Sequence, residues 1–186
     1  TGRRYTFIEF ADGVRRTAGG LSALGFRKGD VIALLAPNSP EYGIVFLAAA
    51  LVGGVNTMLN PTSTPQEIET QLRDSGARYL FTVPELVEKA PNDTDLLRHT
   101  VVVGNHVAGT IGFDELLESR IEAPRTPIEP ETDGVARPYS SGTTGVSKGV
   151  QLTHRNLVAN LRQISTSIFT GDDTIIGIPP FFHIYG

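Results

Sequence analysis

From Ser140 to Gly149 the chain reads SSGTTGVSKG, which is five hydroxyl side chains, three glycines and one lysine with no acid. A polyphosphate needs hydrogen-bond donors that come close and a positive charge to balance its oxygens. Glycines let backbone N–H groups approach the phosphate, and hydroxyls add donors. Lys148 would then act as a movable point charge on the same oxygens. A flexible Ser/Gly linker has a similar composition. The flanks separate the two readings: "VARPY" before the loop and "GVQL" after it both read as strands, so the loop is expected between fixed ends.

Two other phosphate loops fail on named positions. A Walker A motif could only run from Gly142 to Gly149, which puts Ser147 where glycine belongs and Gly149 where the magnesium-binding hydroxyl belongs. No G-x-G-x-x-G occurs here, so the dinucleotide fingerprint is absent too. A P-loop ATPase or kinase is disfavoured. The four histidines (His99, His106, His154 and His183) lack HExxH-type spacing, which argues against a zinc site built from them. There is no cysteine, hence no disulfide and no thiolate chemistry, and this fits a reducing, cytoplasmic location.

The elements that must position the loop follow from the alternation along the chain. Thr6 with Glu9 forms a capping box, and Ala11, Val14, Ala18 and Leu21 share one face of the helix it opens, with Gly25 as its stop. "VIALLA" (Val31 to Ala36) reads as a strand buried on both faces. Ser39 and Pro40 suit the N-cap and first position of a helix running to about Val52, before Gly53-Gly54 and the strand "VNTML". Thr64-Pro65-Gln66-Glu67 is a second capping box, opening a helix that ends near Ser75-Gly76. Strands are expected at Arg78 to Val83 and Thr100 to Gly104, and short helices at Pro84 to Ala90 and Phe113 to Ser119. Residues Arg120 to Asp133 carry three prolines and four acids without apolar periodicity, so they form a loop. Thr153-His154 opens a last helix with Leu157, Leu161, Ile164 and Ile168 on one face and His154 at the surface of its first turn. Glu115 and Glu118 read as a solvated face. Strand and helix in regular order mean an α/β fold with mainly parallel sheets covered by helices. Such sheets bind ligands beyond the carboxyl ends of their strands.

The 186 residues, 40% apolar and 19% charged, are ordinary for a globular protein. A net charge of −4 with no basic stripe gives no reason to expect nucleic acid. The apolar run Ile44 to Val55 is shorter than the roughly 20 residues a membrane span needs, and no signal peptide opens the chain. The chain starts at Thr1 and stops at Gly186 straight after an apolar segment, as expected of a piece of a longer protein.

The stretch "YSSGTTGVSKGVQLTHRNL" closely resembles the phosphate-binding signature of the acyl-adenylate-forming enzymes. That superfamily includes acyl-CoA synthetases, 4-coumarate:CoA ligases, luciferases and peptide-synthetase adenylation domains. "GFRKGDVIALLAPNSPEY", "NPTSTPQEIETQLRDSGAR" and the terminal "PPFFHIYG" resemble further segments of the family, in family order. The "VSKGV" and "FFHIYG" variants are most similar to the 4-coumarate:CoA and fatty acyl-CoA ligase branch.

The resemblance implies that residues 1–186 are an incomplete part of the large N-terminal AMP-binding domain. It also implies a two-step reaction. A carboxylic acid is adenylated by ATP, with magnesium, to acyl-AMP and pyrophosphate; the thiol of coenzyme A then takes the acyl group. Carried over position by position, Ser140, Ser141, Gly142, Thr143, Thr144, Gly145 and Lys148 would hold the ATP phosphates. His183 and Tyr185 would face the substrate, although composition alone also allows both to be core residues. The family's acidic magnesium ligand, adenine-stacking segment, ribose-binding aspartate and C-terminal lysine match nothing between Thr1 and Gly186. No catalytic residue is therefore assigned within the chain, and alone it is expected to be inactive. A luciferase-like or peptide-synthetase member and a non-catalytic nucleotide-binding module are the alternatives.

Overall fold

The computed structural model describes residues 4–91, 95–141, 147–165, 170 and 173–183. The helices begin where side chains can satisfy their orphan N–H groups. In α1 (Phe7–Ala23), Thr6 Oγ1 accepts from Glu9 N at 3.2 Å and Glu9 Oε2 accepts from Thr6 N at 2.7 Å. The same box opens α3 (Pro65–Ser75) through Thr64 and Glu67. In α2 (Pro40–Val52), Ser39 Oγ accepts from Tyr42 N at 3.2 Å, and Gly53 stops the helix in the left-handed region at φ 85.

Among the described residues, one sheet holds β1 (Val31–Leu35), β2 (Val55–Met58), β3 (Ala77–Thr82), β4 (His99–Val102), β5 (Ile111–Gly112), β6 (Gly134–Ala136) and β9 (Leu152–Thr153). Their order is β5-β4-β3-β1-β2-β6-β9. All neighbours run parallel except β9, which is antiparallel to β6. The apolar run of β1 is buried throughout because both its faces are covered. Ile32 and Leu34 share a core with Leu21 of α1, Ala48 of α2, and Phe113 and Leu116 of α4 (Phe113–Leu117). Ala33 and Leu35 point the other way, against Ile68 and Leu72 of α3. The expected layering, parallel strands between helices, is the one observed.

The segment around the candidate loop differs from the sequence expectation. "VARPY" is not one strand: Gly134–Ala136 joins the sheet as β6, and Tyr139–Ser141 forms β7. Pro138 between them has no N–H for a ladder, and its carbonyl accepts from Val150 N at 2.9 Å. β7 pairs antiparallel with β8 (Ser147–Gly149), so the two ends of the loop form a hairpin ladder that stands apart from the main sheet. "GVQL" divides likewise, with Gly149 closing β8 and Leu152 opening β9.

The last helix, α5, runs His154–Ser165; Ile168, expected on its apolar face, lies outside the described residues. His154 is half-buried rather than a surface residue, because the loop before β6 folds over the start of α5. Asp133 O accepts from His154 N at 3.3 Å and Pro130 O from Arg155 N at 2.8 Å. Glu115 also has a structural task, its Oε1 accepting from Gly112 N at 2.7 Å at the head of α4.

Candidate functional site

The hairpin is held from below by polar groups that β2 carries into an apolar core. Asn56 is fully buried, and its Nδ2 donates to Phe46 O and Val135 O, both at 3.1 Å. Its own carbonyl accepts from Arg137 N at 2.7 Å. Next to it, Thr57 Oγ1 donates to Arg137 O at 3.1 Å. Gln71 of α3 donates in turn to Thr57 Oγ1 at 3.1 Å and to Met58 O at 2.9 Å. Both backbone groups of Arg137 are thus fixed where the chain leaves the sheet for β7. These bonds favour one arrangement, since a slip would leave Asn56 Nδ2 and the Arg137 backbone unsatisfied, although Asn56 Oδ1 is itself buried without a partner among the described residues.

The end of α3 grips the hairpin from the side. Arg137 Nη1 donates to Ser75 O at 2.8 Å, placing a cation at the C-terminus of the helix, and Nη2 donates to Gln151 Oε1 at 3.0 Å. Tyr139 donates its hydroxyl to Asp74 Oδ2 at 2.5 Å. Burial, and then this bond to Asp74, push the Tyr139 phenol well above its ordinary pKa, so it stays a donor. Gly149 lies opposite Tyr139 in the hairpin. A Cβ there would meet Tyr139 Cζ at 2.9 Å and Arg137 Cγ at 3.1 Å, so the close approach of ring and backbone requires glycine.

The register decides what the hairpin presents. Ser140 stands opposite Lys148 and Ser141 opposite Ser147. Directly opposed residues of an antiparallel pair project on the same face. Exposed Lys148 therefore shares a face with Ser140 at the root of the tip. Gly142, Thr143, Thr144 and Gly145, the other expected phosphate contacts, lie outside the described residues, as does Tyr185. His183 is exposed at the end of a segment whose Phe181 and Phe182 pack on the core, and its N–H donates to Pro180 O at 3.0 Å.

A wide groove lies elsewhere. It is an open groove of about 1180 Å³ between α1, α2, α5 and the loop before β6, floored by Phe10, Val14, Leu47, Leu51 and Val158. No described residue of the hairpin lines it. His154 does, with its Nε2 buried and without a hydrogen-bond partner among the described residues. Burial lowers the His154 pKa, Lys28 lowers it further, and Asp133 opposes both. Asp133 is itself held below the usual carboxylate range by Lys28, at 2.6 Å, and by the N–H of Glu129.

A model of the AMP-binding enzyme family matches residues 1–186. The chain belongs to this family. It is 40% identical over 202 residues to 4-coumarate--CoA ligase 4 of Arabidopsis thaliana, a match covering 100% of this chain and 35% of that protein. Among solved structures, a long-chain-fatty-acid-CoA ligase from Archaeoglobus fulgidus superposes with a TM-score of 0.84 at 30% identity, over 98% of this chain and 38% of that one. O-succinylbenzoate coenzyme A synthetase from Bacillus subtilis, solved in complex with AMP, gives a TM-score of 0.75 at 28% identity, over 98% and 45% of the respective chains. The mostly parallel sheet flanked by helices is that of the N-terminal domain of adenylate-forming enzymes. The chain spans about a third of the length of the curated relatives it matches. No helix among the described residues is long and apolar enough to cross a membrane.

Asn56, Asp74 and Arg137 escaped sequence reasoning. An asparagine inside "VNTML" was the one available signal, because a polar residue in a buried strand needs partners. Nothing local marks Asp74, whose partner is 65 residues away.

Proposed function

We propose that the chain is the phosphate-gripping part of an ATP-dependent acid:CoA ligase. The observation that carries this is the hairpin register, which sets Lys148 beside Ser140 on a support anchored to β2 and α3. Family membership and the ligase relatives support the same reading. Under it, residues 1–186 belong to a larger N-terminal AMP-binding domain, and the absence of cysteine supports a reducing, cytoplasmic setting.

In the first step a carboxylate oxygen of the acid forms a bond to the α-phosphorus of ATP while the bond from that phosphorus to the bridging oxygen breaks. Pyrophosphate leaves with the electron pair. Negative charge grows on the leaving group, and Lys148, Ser140, Ser141 and the tip residues Gly142, Thr143, Thr144 and Gly145 hold it. A lysine and fixed donors aimed at developing charge lower the barrier without a covalent enzyme nucleophile. The anchors below the hairpin keep those donors from reorganising during the step. Magnesium would accompany ATP and screen its phosphates, alongside the charge that Lys148 supplies. In the second step the coenzyme A thiol gives its proton to solvent and its sulfur forms a bond to the acyl carbon, while the bond from that carbon to the phosphate oxygen breaks and AMP leaves with the electron pair. His183 and Tyr185 line the side of the site that receives the acid.

The test is acid-dependent exchange of labelled pyrophosphate into ATP by a polypeptide of ligase length carrying this chain. Lys148→Ala is expected to slow exchange by about 10²- to 10³-fold, the usual loss when one stabilising donor to developing charge is removed. An unchanged rate contradicts the assignment. Residues 1–186 alone are expected to give no exchange, and clear turnover by them would overturn that part of the reading.

A further inference from the structure

The substrate-side segment has a dedicated clasp. β1 lies between β2 and β3. The chain leaves β1 toward β2 on one side and leaves β3 toward β4 on the other, so the connections diverge at the carboxyl ends of β1 and β3. Open α/β sheets form their ligand crevice at such a point. Asn38 stands there, between the end of β1 and the Ser39 cap of α2.

Its side chain engages alternate residues of one distant segment. Asn38 Nδ2 donates to Gly177 O at 3.2 Å and Pro179 O at 2.9 Å, and Oδ1 accepts from Phe181 N at 2.7 Å. Pro179 and Pro180 have no N–H of their own, so this stretch cannot complete an ordinary strand ladder. A single carboxamide supplies both the donors and the acceptor the segment requires. Phe181 then sets its ring edge-on to Tyr42 of α2, centroids 5.8 Å apart. Two residues further on is His183.

We propose that Asn38 is a positioning residue for the acid-binding side of the site. Its amide fixes the register of residues 177–181 over the end of β1, and this sets where His183 meets the substrate. The proposal rests on the adenylating-ligase reading and adds a specificity-determining contact outside the phosphate hairpin. The group needed is an amide. Alanine removes all three bonds. Aspartate keeps the acceptor but turns two donor contacts into carboxylate against carbonyl oxygen. Glutamine keeps both functions one methylene further out.

Two measurements test it. In residues 1–186, amide exchange at Phe181 should accelerate at least about tenfold in Asn38→Ala and Asn38→Asp, as expected when a hydrogen bond of ordinary net strength is lost. The thermal midpoint should stay near that of the parent, because Asn38 is exposed. In the ligase-length polypeptide both variants should raise KM for the acid about tenfold and leave KM for ATP within about twofold, with Asn38→Gln intermediate. Unchanged exchange at Phe181, or equal rises in both KM values, overturns the proposal. If the parent polypeptide catalyses no acid-dependent exchange, the ligase reading falls, and the Phe181 amide still decides whether the clasp exists.

Discussion

At His154 the ring is carried inward by the first turn of α5, and the surroundings favour its neutral form. The folded pKa lies below the ordinary 6.5, so as pH falls the unfolded chain binds the proton first. Stability should therefore decline as pH drops through 6.5 toward the lower folded value. Asp133 has the same sign in a lower window: its carboxylate contributes above its ordinary 3.8 and loses that contribution as pH falls from there through its lowered folded pKa. Urea unfolding of residues 1–186 at about pH 7.5 and pH 5.5 isolates the histidine. His154→Gln should flatten the decline, whereas Asp133→Asn, which removes the group opposing the shift of His154, should steepen it. An identical slope in the parent and His154→Gln would contradict this account.

At the scale of the element, the hairpin β7–β8 is a small pair that a two-stranded ladder alone would leave marginal. Its stability comes from Arg137 and Tyr139 reaching α3 and from Asn56 and Thr57 fixing the strand that enters it. Asp74→Asn and Tyr139→Phe should each cost about 1 kcal/mol of hairpin stability, and together clearly less than their sum, since they share one bond. Amide exchange at Val150, whose N–H crosses to Pro138 O, reports this opening directly. A strictly additive double mutant would show that the bond carries nothing. The same element marks the limit of sequence reading. Helix starts were legible because Thr6 with Glu9, Ser39 with Pro40, and Thr64 with Glu67 act within four residues. The grip of Asp74 on Tyr139 is set by packing between elements far apart in the chain, and no local spacing encodes it. Strand continuity through "VARPY" was misread because Pro138 permits either an edge strand or a break, and only the pairing of β7 with β8 decides.

Over the whole molecule, apolar burial is uneven. The cores on both faces of the sheet are closed, while α5 has no fully buried residue and leaves Val158 and Leu161 exposed. Leu72→Ala should cost about 2–5 kcal/mol, the range for emptying a packed site, and Leu161→Ala should stay within about 0.5 kcal/mol. Comparable losses at the two positions, measured by denaturant unfolding of residues 1–186, would mean that α5 is buried in solution. The amphipathic pattern of α5 was plain from the sequence, but which surface it covers was not, because periodicity gives a face and not its neighbour. The central claim, that the hairpin between β7 and β8 holds polyphosphate, is tested most directly by titrating residues 1–186 with pyrophosphate and following backbone amide resonances. The account predicts saturable shifts at Ser140, Lys148 and Gly149 that vanish in Lys148→Ala. Shifts that persist in that variant, or that fall outside the hairpin, would contradict it.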